Sequence, residues 1–244
     1  MSLSTFIRSR GEKIRLLALH GGGTNSKIFD FQLRSIVNSL DRDIELIFLD
    51  GPVVDDGTMY VDPTVRRAFP DSEFRFWFRV EVDKIARKPT RYFPEDIRTG
   101  VSYILDYLKS VPPVDGLIGF SQGANAALMF LALVEMHRLP IPPGFLAPRF
   151  VVLFSPTYFG WADAATQAFP STKCPSPLFT KPLSTPALII IGEADHTREY
   201  SENATTLCSS RQIAYHPKGH QVPKDNGVCE ALQVFLDEHS ATKG

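Results

Sequence analysis

No apolar run in the 244-residue chain approaches the ~20 residues of a membrane-spanning helix, so no membrane span is expected. Cysteine is scarce. Cys174, Cys208 and Cys229 cannot all pair with one another and show no CxxC spacing, which argues against a disulfide scaffold and for free thiols in a reducing compartment. Excess charge of either sign is missing: the formal net charge is −1, with 22% charged residues, and nothing calls for a nucleic-acid partner. Met1 to Lys13 holds basic residues but lacks the apolar core of a secretory signal, so a soluble, cytoplasmic protein is the expectation. Repeats, low-complexity tracts and shifts of composition are also missing. Residues 1–244 therefore read as a single domain, long enough to bury a core without disulfides or metal.

What is present is an alternation. Short apolar runs (Ile14 to Leu19, Ile44 to Leu49, Gly116 to Gly119, Phe150 to Phe154, Ala187 to Ile191, Gln212 to Tyr215) are mostly apolar on consecutive residues. That pattern suits parallel strands covered on both faces. Amphipathic stretches lie between them: Ile97, Val101, Ile104, Leu105 and Leu108 recur at helical spacing behind Pro94, and Val228, Leu232, Phe235 and Leu236 do so after Asp225. The chain thus predicts an α/β fold with a doubly wound, mostly parallel sheet. Two segments break the rhythm, 53–93 and 157–181, each rich in aromatics and each following a strand end. They are read as irregular lid or substrate-binding insertions.

The chemistry starts at Gly119-Phe120-Ser121-Gln122-Gly123. It follows an apolar strand and opens a helix rich in alanine, the strand–turn–helix context of a nucleophile elbow, with Ser121 as nucleophile. A serine hydroxyl needs a base. His220 lies after the last strand and before the final helix; His216 still belongs to the strand, His137 sits at a helix end and His239 lies near the C-terminus. Asp195 falls where the chain turns away from Ala187 to Ile191 and completes the order Ser, Asp, His. Glu193 and Asp225 are its competitors, and His196, next to Asp195, is badly placed to serve as base. His20-Gly21-Gly22-Gly23 follows the first strand, so the Gly22 amide joins that of Gln122 as the expected oxyanion hole, with His20 bracing the loop. The consecutive glycines lack the GxGxxG spacing of a dinucleotide site.

With these motifs placed, the chain resembles the fungal serine hydrolase (FSH) family. The resemblance rests on Leu19-His20-Gly21-Gly22-Gly23-Thr24-Asn25-Ser26, Phe48-Leu49-Asp50-Gly51-Pro52, Val114 through Gly123, and Gly219-His220, and it spans nearly the whole chain. It implies the α/β-hydrolase fold with six strands in the order 2-1-3-4-5-6, and Ser121, Asp195 and His220 as triad. It also implies kinship with stand-alone thioesterases of fungal polyketide pathways. One departure stands out: after Asp195 many relatives carry an apolar residue and proline, whereas this chain reads His196-Thr197-Arg198-Glu199.

The expected activity is hydrolysis of an acyl ester or thioester through an acyl-enzyme, with no metal and no organic cofactor. The resemblance adds the acyl carrier domain of a polyketide synthase as partner. Phe74, Phe76, Trp77, Tyr158, Phe159 and Trp161 are expected to contact an apolar acyl group, set against the plainer reading that they cover the sheet edge. Arg66, Arg67, Arg75 and Arg79 are a candidate contact for a phosphopantetheine arm or carrier, set against a solvated charged loop. Two other functions stay open: a broad short-chain carboxylesterase, and a hydrolase-fold receptor without turnover.

Overall fold

The computed structural model describes residues 13–83, 88–171 and 176–239; Cys174 and the segment before Lys13 lie outside them. Six strands form one parallel sheet: β1 (Ile14–Leu19), β2 (Ile44–Leu49), β7 (Gly116–Phe120), β8 (Phe150–Phe154), β9 (Ala187–Gly192) and β10 (Arg211–His216). Their spatial order is β2-β1-β7-β8-β9-β10, which among the sheet strands is 2-1-3-4-5-6, as expected. Register is regular, with Leu19 opposite Leu49 on one side and Gly119 on the other.

Alternate residues of β1, β2, β7, β8 and β9 enter two separate cores, which is why those strands read as apolar runs, whereas the edge strand β10 exposes Ile213 and Tyr215. Leu17, Leu19, Leu117, Leu153 and Ile189 face α3 (Pro94–Ser110) and α4 (Gln122–Glu135). Leu16, Ala18, Ile118, Val152 and Ile190 face α1 (Ser26–Val37) and α7 (Asn226–His239). Local sequence sets the helix ends. Asn25 caps α1 by accepting from the Ile28 amide, and Pro94 occupies the first turn of α3 with Glu95 and Asp96 beside it, favourable against the positive end of the helix. α4 is apolar all round because it is covered all round, with eleven buried positions from Gly123 to Leu133.

The segment 53–93 is not irregular, a correction to the sequence reading. β3 (Val53–Val54) pairs antiparallel with β4 (Arg75–Phe76), with the short helix α2 (Pro63–Ala68) between them. β5 (Val80–Asp83) then pairs antiparallel with β6 (Lys88–Tyr92). Segment 157–181 contains α5 (Ala162–Ala168), packed on α3. Among the described residues no helix is long and apolar enough to cross a membrane.

Candidate active site

β7 delivers Ser121 to the C-terminal edge of the sheet, and α4 begins at the next residue. Ser121 adopts φ 52° and ψ −114°, a conformation that side chains seldom take and that projects the hydroxyl off the sheet edge. The neighbouring glycines are required by close approach. A Cβ on Gly123 would stand 2.1 Å from the Leu19 carbonyl oxygen, and one on Gly119 2.8 Å from the Ala124 Cα.

Ser121 Oγ lies 2.9 Å from His220 Nε2, and His220 Nδ1 lies 2.8 Å from Asp195 Oδ2. These residues come from three loops at strand ends. The loop after β9 is pinned to the loop after β10: the Glu193 amide donates to the His216 carbonyl at 2.8 Å and the Ala194 amide to the Lys218 carbonyl at 3.2 Å. A sequence reading had no signal for Thr197. Its amide and hydroxyl each donate to Asp195 Oδ1 at 2.8 Å, and its Oγ stands 3.1 Å from His220 Nδ1. Burial opposes ionisation of Asp195. The His220 hydrogen bond and charge and the two Thr197 bonds outweigh it, holding the carboxyl well below the usual carboxylate range.

The competitors are not part of this hydrogen-bonded chain, although the His196 ring centroid stands 5.6 Å from that of His220. Glu193 is exposed, and Asp225 accepts from the Val228 amide at the start of α7. His216 is buried with Nδ1 accepting from the Lys218 amide, and the His196 side chain is 58% exposed.

His20 ties the glycine loop to the second strand end. The Gly51 amide donates to Nε2 at 2.8 Å, so Nδ1 carries the proton and donates to the Gly21 carbonyl at 2.8 Å. Burial keeps the ring neutral, with its pKa lowered to about 4. Gly22 and Ser121 border one cavity of about 160 Å³. The Gly22 amide has no hydrogen-bond partner among the described residues, and the Gln122 amide is an orphan donor at the helix start.

Met59, Tyr60, Phe76, Phe78, Val80, Val82, Pro89 and Tyr92 line that cavity from the insertion; Asn125 and Thr157 line it from the sheet side. Phe76 is the one expected substrate contact that lines it. Tyr158 and Phe159 line an adjoining cavity of about 460 Å³ with Tyr200, whose ring centroid is 3.8 Å from that of Phe159. Trp77 and Trp161 are corrected to core residues. Both are 0% exposed, and their indole N–H groups donate to the His20 and Thr157 carbonyls. Phe74 packs with Ile28, Val61 and Phe76 beneath the cavity wall and does not line it. Three of the four arginines singled out are in ion pairs: Arg66 with Asp55, Arg75 with Glu73 and Arg79 with Asp96.

A family model described as Serine hydrolase (FSH1) matches residues 9–232. An uncharacterized hydrolase of Schizosaccharomyces pombe is 27% identical over 92% of this chain, which spans 51% of that relative's length. Esterase FUS5 of Gibberella fujikuroi is 29% identical, covering 89% of this chain and 83% of its own. Esterase OVCA2 of Bos taurus is 28% identical over 92% of this chain and 96% of its own. Among solved structures, Zea mays acyl-protein thioesterase 2 superposes with a TM-score of 0.61 over 94% of this chain and 97% of that one, at 18% identity, a likeness of fold.

Proposed function

The chain belongs to the serine hydrolase (FSH1) family, and from that premise we propose that it cleaves acyl esters and thioesters through an acyl-Ser121 intermediate. The observation that carries the reading is the hydrogen-bonded chain from Ser121 through His220 to Asp195, opening on a largely apolar cavity. Ser121 Oγ attacks the carbonyl carbon as His220 Nε2 takes its proton. The tetrahedral oxyanion is held by the Gln122 and Gly22 amides, and His220 then protonates the departing alkoxide or thiolate. Water repeats the sequence on the acyl-enzyme, releasing the acid and restoring Ser121. Asp195, held by Thr197, keeps the Nδ1 proton in place and stabilises the imidazolium.

The insertion wall of Phe76, Phe78, Val80 and Val82 suits an apolar acyl chain. The relatives FUS5 and OVCA2, both named esterases, support ester cleavage; the thioester extension rests on the better leaving group. A carrier-bound thioester is the furthest extension. Equal kcat/KM for free and carrier-loaded acyl thioesters removes the carrier from the proposal. The direct test of the reading is fluorophosphonate labelling alongside hydrolysis of p-nitrophenyl esters and N-acetylcysteamine thioesters. Labelling with turnover supports an enzyme; absence of both leaves a hydrolase-fold receptor.

A further inference from the structure

The wall that the two hairpins turn toward Ser121 is mostly carbon, and two phenols interrupt it: Tyr60, which is exposed, and Tyr92, which is half-buried. Tyr92 stands on β6 opposite Val80, with its ring centroid 6.2 Å from that of Phe78, and it borders the same cavity as Ser121. Among the described residues no protein group hydrogen-bonds its hydroxyl. The Tyr92 side chain is half-buried, and burial pushes the phenol well above its ordinary pKa. A half-buried tyrosine hydroxyl with no protein partner among the described residues, bordering the same cavity as Ser121, is available to a ligand.

Across the cavity stands a second hydroxyl with spare capacity. Thr157 Oγ accepts from Asn125 Nδ2 at 2.9 Å, and its own proton meets no acceptor among the described residues. Asn125 Oδ1 takes the Thr157 amide at 2.9 Å, so the threonine is fixed from both sides and 8% exposed. A cavity meant only for an alkyl chain gains nothing from two such hydroxyls, because each must give up water as the chain enters.

We propose that Tyr92 is a specificity residue whose hydroxyl hydrogen-bonds an oxygen carried on the acyl chain, so that the preferred substrates are oxo- or hydroxyacyl esters and thioesters. The proposal rests on the acyl-Ser121 reading above and narrows its substrate class. Tyr92 is assigned to the acyl side because Val80, Val82 and Pro89 surround the cavity there, whereas the scissile carbonyl belongs between Ser121 and the Gly22 and Gln122 amides. A site built around such a bond also discriminates against the analogue that lacks the oxygen.

The test uses hexanoyl N-acetylcysteamine thioester and its 3-, 4- and 5-oxo and hydroxy derivatives, with wild type and Tyr92→Phe compared on each. The quantity read is the preference for each oxygenated chain over hexanoyl, so intrinsic differences in carbonyl reactivity cancel between the two proteins. In wild type at least one oxygen position is preferred, and Tyr92→Phe reduces that preference by about tenfold, the loss of one hydrogen bond. Thr157→Val serves as the second variant and reports whether the same oxygen position is shared with the opposite wall. Turnover with identical preferences in wild type and Tyr92→Phe overturns the inference and leaves the hydrolase reading intact. Absence of turnover on every ester and thioester overturns that reading, and the inference with it.

Discussion

Gln122 Oε1 accepts a hydrogen bond from the Trp77 amide at 2.8 Å, while Gln122 Nε2 donates to the Phe78 carbonyl at 2.9 Å. One side chain thus pairs with the backbone of the insertion on both sides of its turn from β4 toward β5. The residue that follows the nucleophile holds the cavity wall in register with it.

Gln122→Ala keeps the backbone amide but leaves the Trp77 N–H and Phe78 C=O without partners. The expected cost is ~1–3 kcal/mol of stability, read from urea unfolding. Longer acyl substrates should lose more kcat/KM than acetyl esters, since Phe76 and Phe78 are freed while Ser121 and His220 are not displaced. Equal losses for long and short acyl groups would mean that the clamp serves stability alone.

Ser121→Ala should remain folded, abolish fluorophosphonate labelling and leave almost no turnover. Asp195→Asn should lower kcat by ~10³–10⁴, because an amide favours the wrong histidine tautomer. Glu193→Gln should change little, since Glu193 is exposed and only its backbone amide touches the site, donating to the His216 carbonyl. A large loss with Glu193→Gln and a small one with Asp195→Asn would reassign the acid.

The pH dependence of stability should carry the signature of His20. Its pKa falls from an ordinary 6.5 to about 4 in the folded chain, chiefly through burial. Between those values the unfolded chain binds the proton and the native ring does not. Stability therefore falls as pH falls through this window, by about 1.4 kcal/mol per pH unit at its steepest. His20→Asn removes the titrating group and keeps a donor for the Gly21 carbonyl. Unfolding midpoints at pH 7, 6 and 5 should show a shallower slope in the variant, although its stability at pH 7 is lower. His216 contributes a slope of the same sign in both proteins, its burial also disfavouring the charged ring. Parallel slopes would show that the folded ring takes up its proton in the same pH range as the unfolded one.

Five of the six sheet strands were readable because each supplies apolar residues to two cores, which leaves mostly consecutive apolar letters; the edge strand β10 exposes Ile213 and Tyr215. β7 was expected to end at Gly119 and runs to Phe120. Strand order came from the resemblance and not from any pattern in the letters. The insertion was misread by counting aromatics. Phe76, Phe78, Val80 and Val82 alternate with Trp77, Arg79 and Glu81, but the chain bends at Trp77 and Phe78 between β4 and β5, so the period of two does not come from one continuous strand. Trp77 does not line the cavity, whereas Phe78 both lines it and joins Trp77 in one core, a distinction that counting aromatics misses. Thr197 was not readable at all. Its role depends on the loops after β9 and β10 meeting, and no local spacing encodes that contact.

The same distinction sets apart two substitutions that composition alone would treat alike. Trp77→Ala removes a fully buried indole and its bond to the His20 carbonyl, so it should cost ~3–5 kcal/mol of stability. Because Trp77 does not line the cavity, the ranking of acyl chain lengths should survive wherever the variant is folded. Val82→Phe works the other way. Val82 borders the cavity on a partly exposed hairpin, so a larger ring there should be tolerated by the fold and fill space the acyl chain would occupy. Each excluded methylene forfeits ~0.8 kcal/mol, so losing room for two should lower kcat/KM for the longer chains by roughly tenfold or more, with acetyl spared. Thermal unfolding and a chain-length series on both variants decide the matter. A changed length ranking in Trp77→Ala together with an unchanged one in Val82→Phe would place the acyl chain on the other side of β4 and β5.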